Sequence, residues 1–417
     1  IAPSSQQMEP PGIPERFNPQ NPQIVGSVDT PGLARDVALS GNLACVTDET
    51  SGLQMIDFAV PENPRILGSV DTPGNAWGVA LSGEHAFVGD GSSGLLTIDI
   101  TNPQHPQVAG RVDTPGSAAG VAISGTLAYV ADATSGLQVV DVAAPERPRI
   151  IGSVDTPGLA IEVAVSGTYA YVADAGSGLR VIDIEDPQHP HVVGSLDTPG
   201  FFGSVAVSGL HAYVADREGD GLQVIDIASP SNPRLVGSLY TPGIATEVAV
   251  SGDFAYMASY ECGIQVIDIT NPEAPRMVGG MDAPGTAVGL GLSGTLVFVA
   301  AAESGLLLLP AQCEPPSIVG EDGALSPPLL PQILPNPCAH QAIVRFALRD
   351  GGPVRVVVCD PAGRRVRTLS TGILRPGVHD LLWDGRDDAG REVAAGIYLA
   401  RVETDRGVGT ARVAVLR

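Results

Sequence analysis

The phrase Asp-Thr-Pro-Gly recurs along most of this 417-residue chain. It begins at Asp29, Asp71, Asp113, Asp155 and Asp197, and degenerate copies begin at Tyr240 and Asp282. The copies are 42 residues apart, except for one step of 43. A period of this length is typical of repeat proteins in which each unit is one small group of strands or helices. The number of strands in each unit therefore determines the fold.

Each repeat contains four short apolar runs that turn-forming residues separate. In the unit that begins at Thr156, the runs start at Val163, Ala170, Leu179 and His191. The first run is apolar on both faces and has Ala or Gly at its centre in every repeat, which suits an innermost strand near the axis of a ring of sheets. Prolines flank the fourth run, as expected at a sheet edge. Seven such units predict an all-β, seven-bladed β-propeller over residues 17–312.

The first and last repeats predict how the ring closes. Residues 23–28 form a fourth run with no preceding strands, whereas the seventh repeat lacks a good fourth run. We therefore expect the N-terminal strand to complete blade seven. The segment 316–320 is a competitor for the same place, and its use would leave the N-terminal strand free to pair with a neighbouring molecule and drive polymerisation.

The segments outside the repeats differ in composition. Residues 1–16 are rich in proline and are expected to be flexible, and residues 313–335 are expected to be a proline-rich linker. Residues 336–417 contain six strand-like runs and predict an immunoglobulin-like β-sandwich. The runs are 342–348, 354–359, 366–369, 379–383, 396–402 and 411–416.

Charge argues against two classes of partner. The formal net charge is -23, and all 23 basic residues are arginine. Most of the acidic excess lies before residue 332, so the repeats would repel nucleic acid and anionic membranes. No apolar run is long enough for a transmembrane helix. The chain opens at Ile1 rather than Met, and we expect that a signal peptide has been removed and that the protein is extracellular or at the cell surface.

Residues that would indicate catalysis or cofactor binding are sparse. The five cysteines lack the spacing of a zinc site, although an oxidising compartment would allow a disulfide between Cys338 and Cys359. No phosphate-binding loop, nucleophile elbow or metalloprotease phrase occurs, so we expect no enzyme activity, no metal and no cofactor. The aspartates that end each second and third strand are expected to accept hydrogen bonds from their own turns.

Candidate ligand-binding residues occur where the repeats differ. The four residues after each Pro-Gly should surround one mouth of the central channel, and variable residues on a repeat scaffold can form a site. Aromatic side chains beside carboxylates would suit a sugar or a cationic peptide, and the three acids could hold a cation; the alternative is an ordinary solvated rim. The candidate residues are Arg35, Asp36, Trp77, Glu162, Phe202 and Glu247.

The repeats resemble the LVIVD-repeat proteins of bacterial and archaeal surfaces. The phrases that carry this resemblance are SGLQMID at 51–57, SGLQVVD at 135–141, SGLRVID at 177–183, GLQVIDI at 221–227 and GIQVIDI at 263–269. The family implies the propeller fold but no single activity.

The tail resembles the immunoglobulin-like domain of flagellar hook-capping proteins and of C-terminal sorting domains in secreted bacterial proteins. Trp383-Asp-Gly-Arg386 and Gly396-Ile-Tyr398 carry this resemblance, although Cys338 and Cys359 stand where Phe and Tyr are usual. Such a domain implies export and surface attachment.

These observations favour a non-enzymatic binding or structural protein outside the cell, whose partner is an unidentified extracellular protein or glycan. Two alternatives are a subunit that self-assembles by strand exchange into a fibre or surface layer, and a glycan-active enzyme that uses a carboxylate at the channel mouth.

Overall fold

The computed structural model describes residues 24–311 apart from 199, 219–220 and 282, the strand Gln332–Leu334, and residues 342–415 apart from 349–351, 360–363, 376, 389–390, 395 and 405–406. The chain divides into two compact units, Ile1–Pro315 and Pro316–Arg417. None of the described segments forms a helix with the length and hydrophobicity that a membrane crossing needs.

The first unit consists of seven four-stranded antiparallel sheets, which confirms the predicted propeller. The inner strands are Asp36–Ser40, Val79–Ser82, Val121–Ser124, Glu162–Ser166, Phe202–Ser208, Glu247–Ser251 and Gly289–Ser293. The second strands are Leu43–Thr47, His85–Gly89, Leu127–Ala131, Tyr169–Ala173, His211–Asp216, Phe254–Ala258 and Leu296–Ala300. The third strands are Leu53–Asp57, Leu95–Asp99, Leu137–Asp141, Leu179–Asp183, Gly221–Asp226, Ile264–Asp268 and Leu306–Pro310. The outer strands are Arg65–Val70, Gln107–Val112, Arg149–Val154, His191–Leu196, Arg234–Leu239, Arg276–Met281 and, in blade seven, Gly26–Val28.

Blade seven takes its outer strand from the start of the unit. Gly26–Val28 pairs antiparallel with Leu306–Pro310, with Gly26 opposite Leu308. A Cβ atom on Gly26 would overlap the carbonyl oxygen of Pro61 in blade one, so glycine permits this close approach. The ring is closed by the N-terminal strand of the same chain. The competing segment 316–320 lies outside the described residues.

The core of the propeller lies between neighbouring blades. Third strands supply continuous buried runs, because both of their faces are covered by adjacent sheets. Leu137 and Val139 of blade three, for example, pack with Val163 and Val172 of blade four in one cluster of buried residues. Apolar packing between blades therefore fixes the spacing of the inner strands around the axis.

The aspartates after the second strands of blades one, three and four differ from the sequence-based expectation, whereas Asp216 of blade five accepts a hydrogen bond from the Glu218 N–H of its own turn at 3.2 Å, as predicted. Asp132 does not accept hydrogen bonds from its own turn; it accepts one from the Thr114 hydroxyl at 2.6 Å and one from the Gly116 N–H at 2.9 Å. Thr114 and Gly116 belong to the Asp-Thr-Pro-Gly phrase that enters the same blade. The prediction was wrong because this carboxylate is buried and points away from the hairpin. Asp48 and Asp174 make the same pair of contacts in their blades.

The aspartate that ends each third strand behaves as predicted. Asp57 accepts a hydrogen bond from the N–H of Ala59, two residues later, and pairs with Arg65 of the outer strand at 2.9 Å. Asp141 and Arg149 repeat this arrangement in blade three. These carboxylates therefore fix their own turns, away from the channel.

The second unit contains two sheets, as expected of a β-sandwich. One has the order Gln332–Leu334, Ala342–Leu348, Gly377–Trp383, and the other has the order Arg365–Leu374, Gly352–Cys359, Gly396–Thr404, Gly407–Val415. Trp383 is fully buried and donates its indole N–H to the Arg386 carbonyl at 2.9 Å. The strand Gln332–Leu334 falls within the expected linker, because its short apolar run pairs with Ala342–Leu348. Cys359 is buried, whereas Cys338 lies outside the described residues.

Candidate functional site

Two sets of loops meet at one end of the propeller. The first is the segment after each Pro-Gly, and the second is the turn after each second strand. Backbone bridges join the turn of one blade to the segment of the next: Glu49 to Ala76, Gly91 to Ala118, Ala133 to Ala160, Ala175 to Phe202, Tyr260 to Ala287, and Ala302 to Ala34. We call this end the channel mouth. Its lining is therefore set by both sets of loops, whereas the sequence analysis considered only the first.

The channel mouth departs strongly from sevenfold symmetry. Blades three, four and seven contribute Ala133, Ala175 and Ala302 at the turn position. The other blades contribute large or charged side chains at the turn or the adjoining segment, namely Arg35, Glu49, Trp77, Phe201, Arg217 and Tyr260. Glu49 and Tyr260 also adopt positive φ values of 45° and 50°, a conformation that costs energy in residues other than glycine. The repeat scaffold therefore carries one distinctive, asymmetric surface.

The Trp77 side chain is oriented at the mouth by Arg35, which is itself paired with Glu49. The Arg35 guanidinium lies 4.8 Å from the centre of the Trp77 ring, and its Nε donates to the Glu49 carboxylate at 2.7 Å. Trp77 nevertheless remains 38% exposed. A cation–π contact of this kind orients the indole at low cost, so Trp77 presents an exposed aromatic surface in a fixed position.

An open groove of about 670 Å³ lies beside Trp77. Its other lining residues include the hydroxyl and amide side chains of Thr50, Asn75, Ser92 and Ser117. Binding sites of this size usually combine an aromatic wall with a few polar groups that fix the orientation of the ligand. The groove therefore extends the mouth outward over blades one, two and three.

Phe202, a predicted site residue, does not lie on this surface. It is fully buried and packs with Tyr171, Leu179 and Val181 in the core between blades four and five. Position 202 corresponds to the buried Ala160 of the preceding repeat, and alternate residues of an extended segment point to opposite sides. The adjacent Phe201 is only partly buried, so it is the phenylalanine that reaches the mouth.

The three predicted acids form a deeper layer, at the start of the inner strands. Asp36 accepts hydrogen bonds from the N–H groups of Val37 at 2.7 Å and of Val79 in the next blade at 2.8 Å. Glu162 accepts one from Val163 at 3.0 Å, and its carboxylate lies over Gly120 of the neighbouring blade. The ring at this level consists of Asp36, Gly78, Gly120, Glu162, Ser204, Glu247 and Gly289.

The carboxylates of this layer influence each other. Burial raises the pKa of Asp36 to about 6, although the hydrogen bonds from the N–H groups of Val79 and Val37 lower it. Burial, with the nearby charge of Asp36, raises the pKa of Glu162 to about 8. Burial raises the pKa of Glu247 well above its usual value, and the charges of Asp36 and Glu162 add to this effect. The three groups therefore converge inside the channel.

The convergence does not amount to a metal site. Within the residues that the structure describes, no group of three or more His, Cys, Asp or Glu residues is placed to hold a metal ion. Each channel acid instead turns toward backbone N–H donors. The expectation that the three acids could hold a cation is therefore not supported by their geometry.

Arg217 and Tyr260 are mouth residues that the sequence analysis missed. Arg217 follows the second strand of blade five, and its guanidinium lies 5.7 Å from the centre of the Phe201 ring. The repeat is 43 residues long at this step rather than 42, and the additional residue falls in the turn that begins at Arg217. This longer repeat, together with the variation from Glu49 to Ala133 to Tyr260 at the turn position, is the sequence feature that could have identified Arg217 and Tyr260 as mouth residues.

Comparisons with known proteins divide the chain in the same place. The model of the LVIVD repeat matches six consecutive segments, 31–72, 73–114, 115–156, 157–198, 199–241 and 242–283, which together span more than half of the chain. The model of the FlgD Ig-like domain matches residues 344–407. The basal-body rod modification protein FlgD of Salmonella typhimurium is 43% identical over 61 residues, which cover 15% of this chain and 26% of that protein. The chain thus matches about a quarter of that relative.

Solved structures with similar folds are propellers at low sequence identity. PorZ of Porphyromonas gingivalis is 14% identical with a TM-score of 0.50, over 94% of this chain and 60% of PorZ. The β-propeller domain of Myceliophteria thermophila Cps50 (Swd1) is 13% identical with a TM-score of 0.57, over 69% of this chain and 99% of that domain. The WD40 domain of Neurospora crassa Pan2 is 11% identical with a TM-score of 0.55, over 70% of this chain and 96% of that domain. These similarities show the fold alone.

Proposed function

Because the chain belongs to the LVIVD-repeat family, whose propeller is a scaffold, we propose that it is an exported, surface-associated protein that binds an extracellular ligand without catalysing a reaction. The ligand lies at the channel mouth, and the C-terminal domain serves export or attachment. The observation that carries this proposal is the asymmetry of the mouth, where Arg35, Glu49 and Trp77 form a charged and aromatic cluster that blades three, four and seven lack.

The arrangement of Trp77 supports binding at this position. A large aromatic side chain that is 38% exposed loses little conformational freedom when a ligand covers it, since the Arg35 contact already orients it. Rigid aromatic side chains of this kind contribute strongly to binding interfaces. The polar groove beside Trp77 would accept the hydroxyl groups of a glycan or the backbone of a peptide.

The second unit supports the proposal for location. Its similarity to the Ig-like domain of FlgD covers residues 344–407. PorZ is described as an essential bacterial surface component of the type-IX secretion system. We propose a comparable surface location for this chain on the combination of a propeller and an Ig-like domain.

The two alternatives have less support. Strand exchange requires a spare edge strand, but Gly26–Val28 pairs with Leu306–Pro310 of its own chain. A glycan-active enzyme would need its channel acids directed at a substrate, whereas Asp36 and Glu162 accept hydrogen bonds from backbone N–H groups. Hydrolysis of polysaccharides that is lost in both Glu162→Gln and Glu247→Gln would restore the enzyme alternative.

The proposal is tested by Trp77→Ala on glycan and peptide arrays. We expect ligands retained by the parent protein to bind about 5- to 30-fold more weakly to the variant, because a stacking contact of about 1–2 kcal/mol is removed. Leu210→Ala is the matched control, since Leu210 is 62% exposed in the turn between the inner and second strands. Equal binding by Trp77→Ala and the parent protein would contradict a site at the mouth.

A further inference from the structure

Arg217 differs from every other arginine of the described propeller. Seven of them pair with carboxylates, namely Arg35, Arg65, Arg111, Arg149, Arg180, Arg234 and Arg276. Arg147 is exposed to solvent. Arg217 is largely withdrawn from solvent, yet it has no ion pair with any described residue, and its buried Nε has no hydrogen-bond partner there. Within the described part of the propeller, no carboxylate pairs with this cation, although the chain has 46 acidic residues against 23 basic ones.

Local packing directs the Arg217 side chain into the mouth. Gly203 occupies the repeat position that Trp77 holds in blade two, and a Cβ atom there would lie 2.5 Å from the Arg217 Nε. The guanidinium therefore fills the space where another blade has a mouth side chain. Phe201 lies beneath it. The substitution of glycine at 203 and the longer turn at 217 act together to place a cation at this point.

This placement is unfavourable without a ligand. Burial lowers the pKa of Arg217 below its usual value, and the nearby charge of Arg35 lowers it further, although Tyr260 acts in the opposite direction. A buried charge without a partner destabilises a folded protein. Sites that sacrifice stability in this way are often binding sites, because the ligand supplies the missing charge.

We infer that the channel mouth binds an acidic sugar, whose carboxylate pairs with Arg217 while a ring of the same glycan covers Trp77. This inference rests on the proposed function and gives the ligand its chemical class. An arginine fork matches a carboxylate through two parallel hydrogen bonds. Arg35 links the two positions, because its guanidinium contacts the Trp77 ring and its charge reaches Arg217.

The surroundings favour a glycan over an acidic peptide. The groove beside Trp77 is lined mainly by hydroxyl, amide and backbone groups, including those of Thr50, Asn75, Ser92 and Ser117, and by one carboxylate, that of Asp71. The hydroxyl and amide groups match the many hydroxyls of a sugar. The deeper acids oppose an anion less than their formal charge suggests, because the raised pKa of Glu162, about 8, leaves it largely protonated at neutral pH. The sequence analysis had suggested a sugar or a cationic peptide, and the acidic sugar is the more specific form of the first.

The test uses uronic-acid oligosaccharides from polygalacturonate, alginate and hyaluronan with the full chain. We expect at least one to bind, and its methyl-esterified form to bind about 10- to 100-fold more weakly, since a charged hydrogen-bond pair is lost. Arg217→Gln should weaken the acidic form by a similar factor and leave the ester unchanged. Arg147→Gln removes the same charge from an exposed loop and should leave the affinity for the acidic oligosaccharide almost unchanged, because solvent screens that charge.

Two further measurements separate binding from a structural role. Arg217→Gln should melt at the same temperature as the parent protein or slightly higher when no sugar is present, because it removes an unpaired buried charge. Gly203→Ala keeps the charge but displaces the guanidinium, and it should also lose the preference for the acid over the ester. A melting temperature lowered by several degrees in Arg217→Gln would indicate a structural arginine and overturn the inference.

The remaining outcomes are also decisive. Binding of oligoglutamate peptides but of no uronic-acid oligosaccharide would replace the acidic sugar with an acidic peptide. Failure of all the acidic probes would overturn the inference. Ligands whose binding depends on Trp77 but not on Arg217 would also overturn the inference, but they would support the proposed function.

Discussion

The buried aspartate after the second strand of blades one, three and four joins two distant parts of its repeat. In blade three, Asp132 accepts hydrogen bonds from the Thr114 hydroxyl and the Gly116 N–H. These bonds hold the connection from the preceding blade next to the second strand. Burial raises the pKa of Asp132, and the hydrogen bonds from Thr114 and Gly116 oppose this rise by stabilising the charged carboxylate. The recurrence of the Asp-Thr-Pro-Gly phrase thus reflects the hydrogen-bonding needs of a different residue, 16 to 18 positions later.

Thr114→Val should therefore destabilise the propeller by about 1–2 kcal/mol, because a buried carboxylate oxygen loses its donor while the side-chain volume is preserved. The free energy of unfolding from a urea titration measures the effect. Thr241→Val is the matched control, since blade six has no aspartate at this position and the Thr241 hydroxyl faces the Met257 sulfur at 3.4 Å. Equal losses in the two variants would contradict the role assigned to the carboxylate.

Sequence comparison among the repeats located part of the candidate site. Asp36, Glu162 and Glu247 share one repeat position, so the fold necessarily brings them to one level of the channel. The choice between Phe201 and Phe202 depended on which residue of an extended segment faces inward, and alignment with the buried Ala160 of the preceding repeat would have placed Phe202 in the core. The pairing of Arg35 with Glu49 depends on loops from different elements, which no local pattern reveals.

Among the strands of the propeller, each pairing follows from local sequence except one. Within a blade, short Ser-Gly and Gly-rich turns join neighbouring strands, so the order was predictable from the repeat. The exception is Gly26–Val28, whose partner Leu308 lies at the far end of the unit. The strand Gln332–Leu334 was not predicted, because three residues in a proline-rich segment are too few to show the alternation of a strand.

A variant that lacks residues 1–28 tests the closing strand. We expect its melting temperature to fall by about 5–10 °C, because the pairing with Leu306–Pro310 is lost and the edge of blade seven is exposed. Calorimetry measures the change, and sedimentation should show increased association through the exposed edge. A variant that lacks only residues 1–16 is the control and should melt like the parent protein. An unchanged melting temperature with reduced self-association would instead support strand exchange.

For the whole molecule, net charge and the channel acids act on stability in the same direction. The chain carries a formal charge of -23, so protonation of carboxylates relieves repulsion in the folded state. The raised pKa values of Asp36, Glu162 and Glu247 mean that the folded protein binds more protons than the unfolded chain. Above about pH 5, where the aspartates of lowered pKa such as Asp57 and Asp141 are already ionised, stability should therefore decrease as the pH rises.

Glu162 gives this dependence a defined range. Its pKa is about 8 in the fold, against 4.5 for an unperturbed glutamate, so its favourable contribution is complete below about pH 4.5 and is lost as the pH rises through 8. Glu162→Gln should be more stable than the parent protein at pH 9 by on the order of 2 kcal/mol, with little difference at pH 5. Thermal melts across this range measure it, with the exposed Glu273→Gln as control. A parallel pH dependence in Glu162→Gln and the parent protein would contradict the assignment.

The closing strand also determines when the propeller can be completed. Its outer strand, Gly26–Val28, is made before any other strand of the ring, but its partner Leu306–Pro310 is made last. A chain interrupted anywhere between them cannot shut the ring and retains open sheet edges. Closing so long a loop adds little entropic cost for each further residue, but it delays the final pairing until synthesis is complete. The edge of blade seven is therefore paired only in a propeller that has all seven blades. Incomplete chains leave this edge accessible to proteases and to pairing with other incomplete chains.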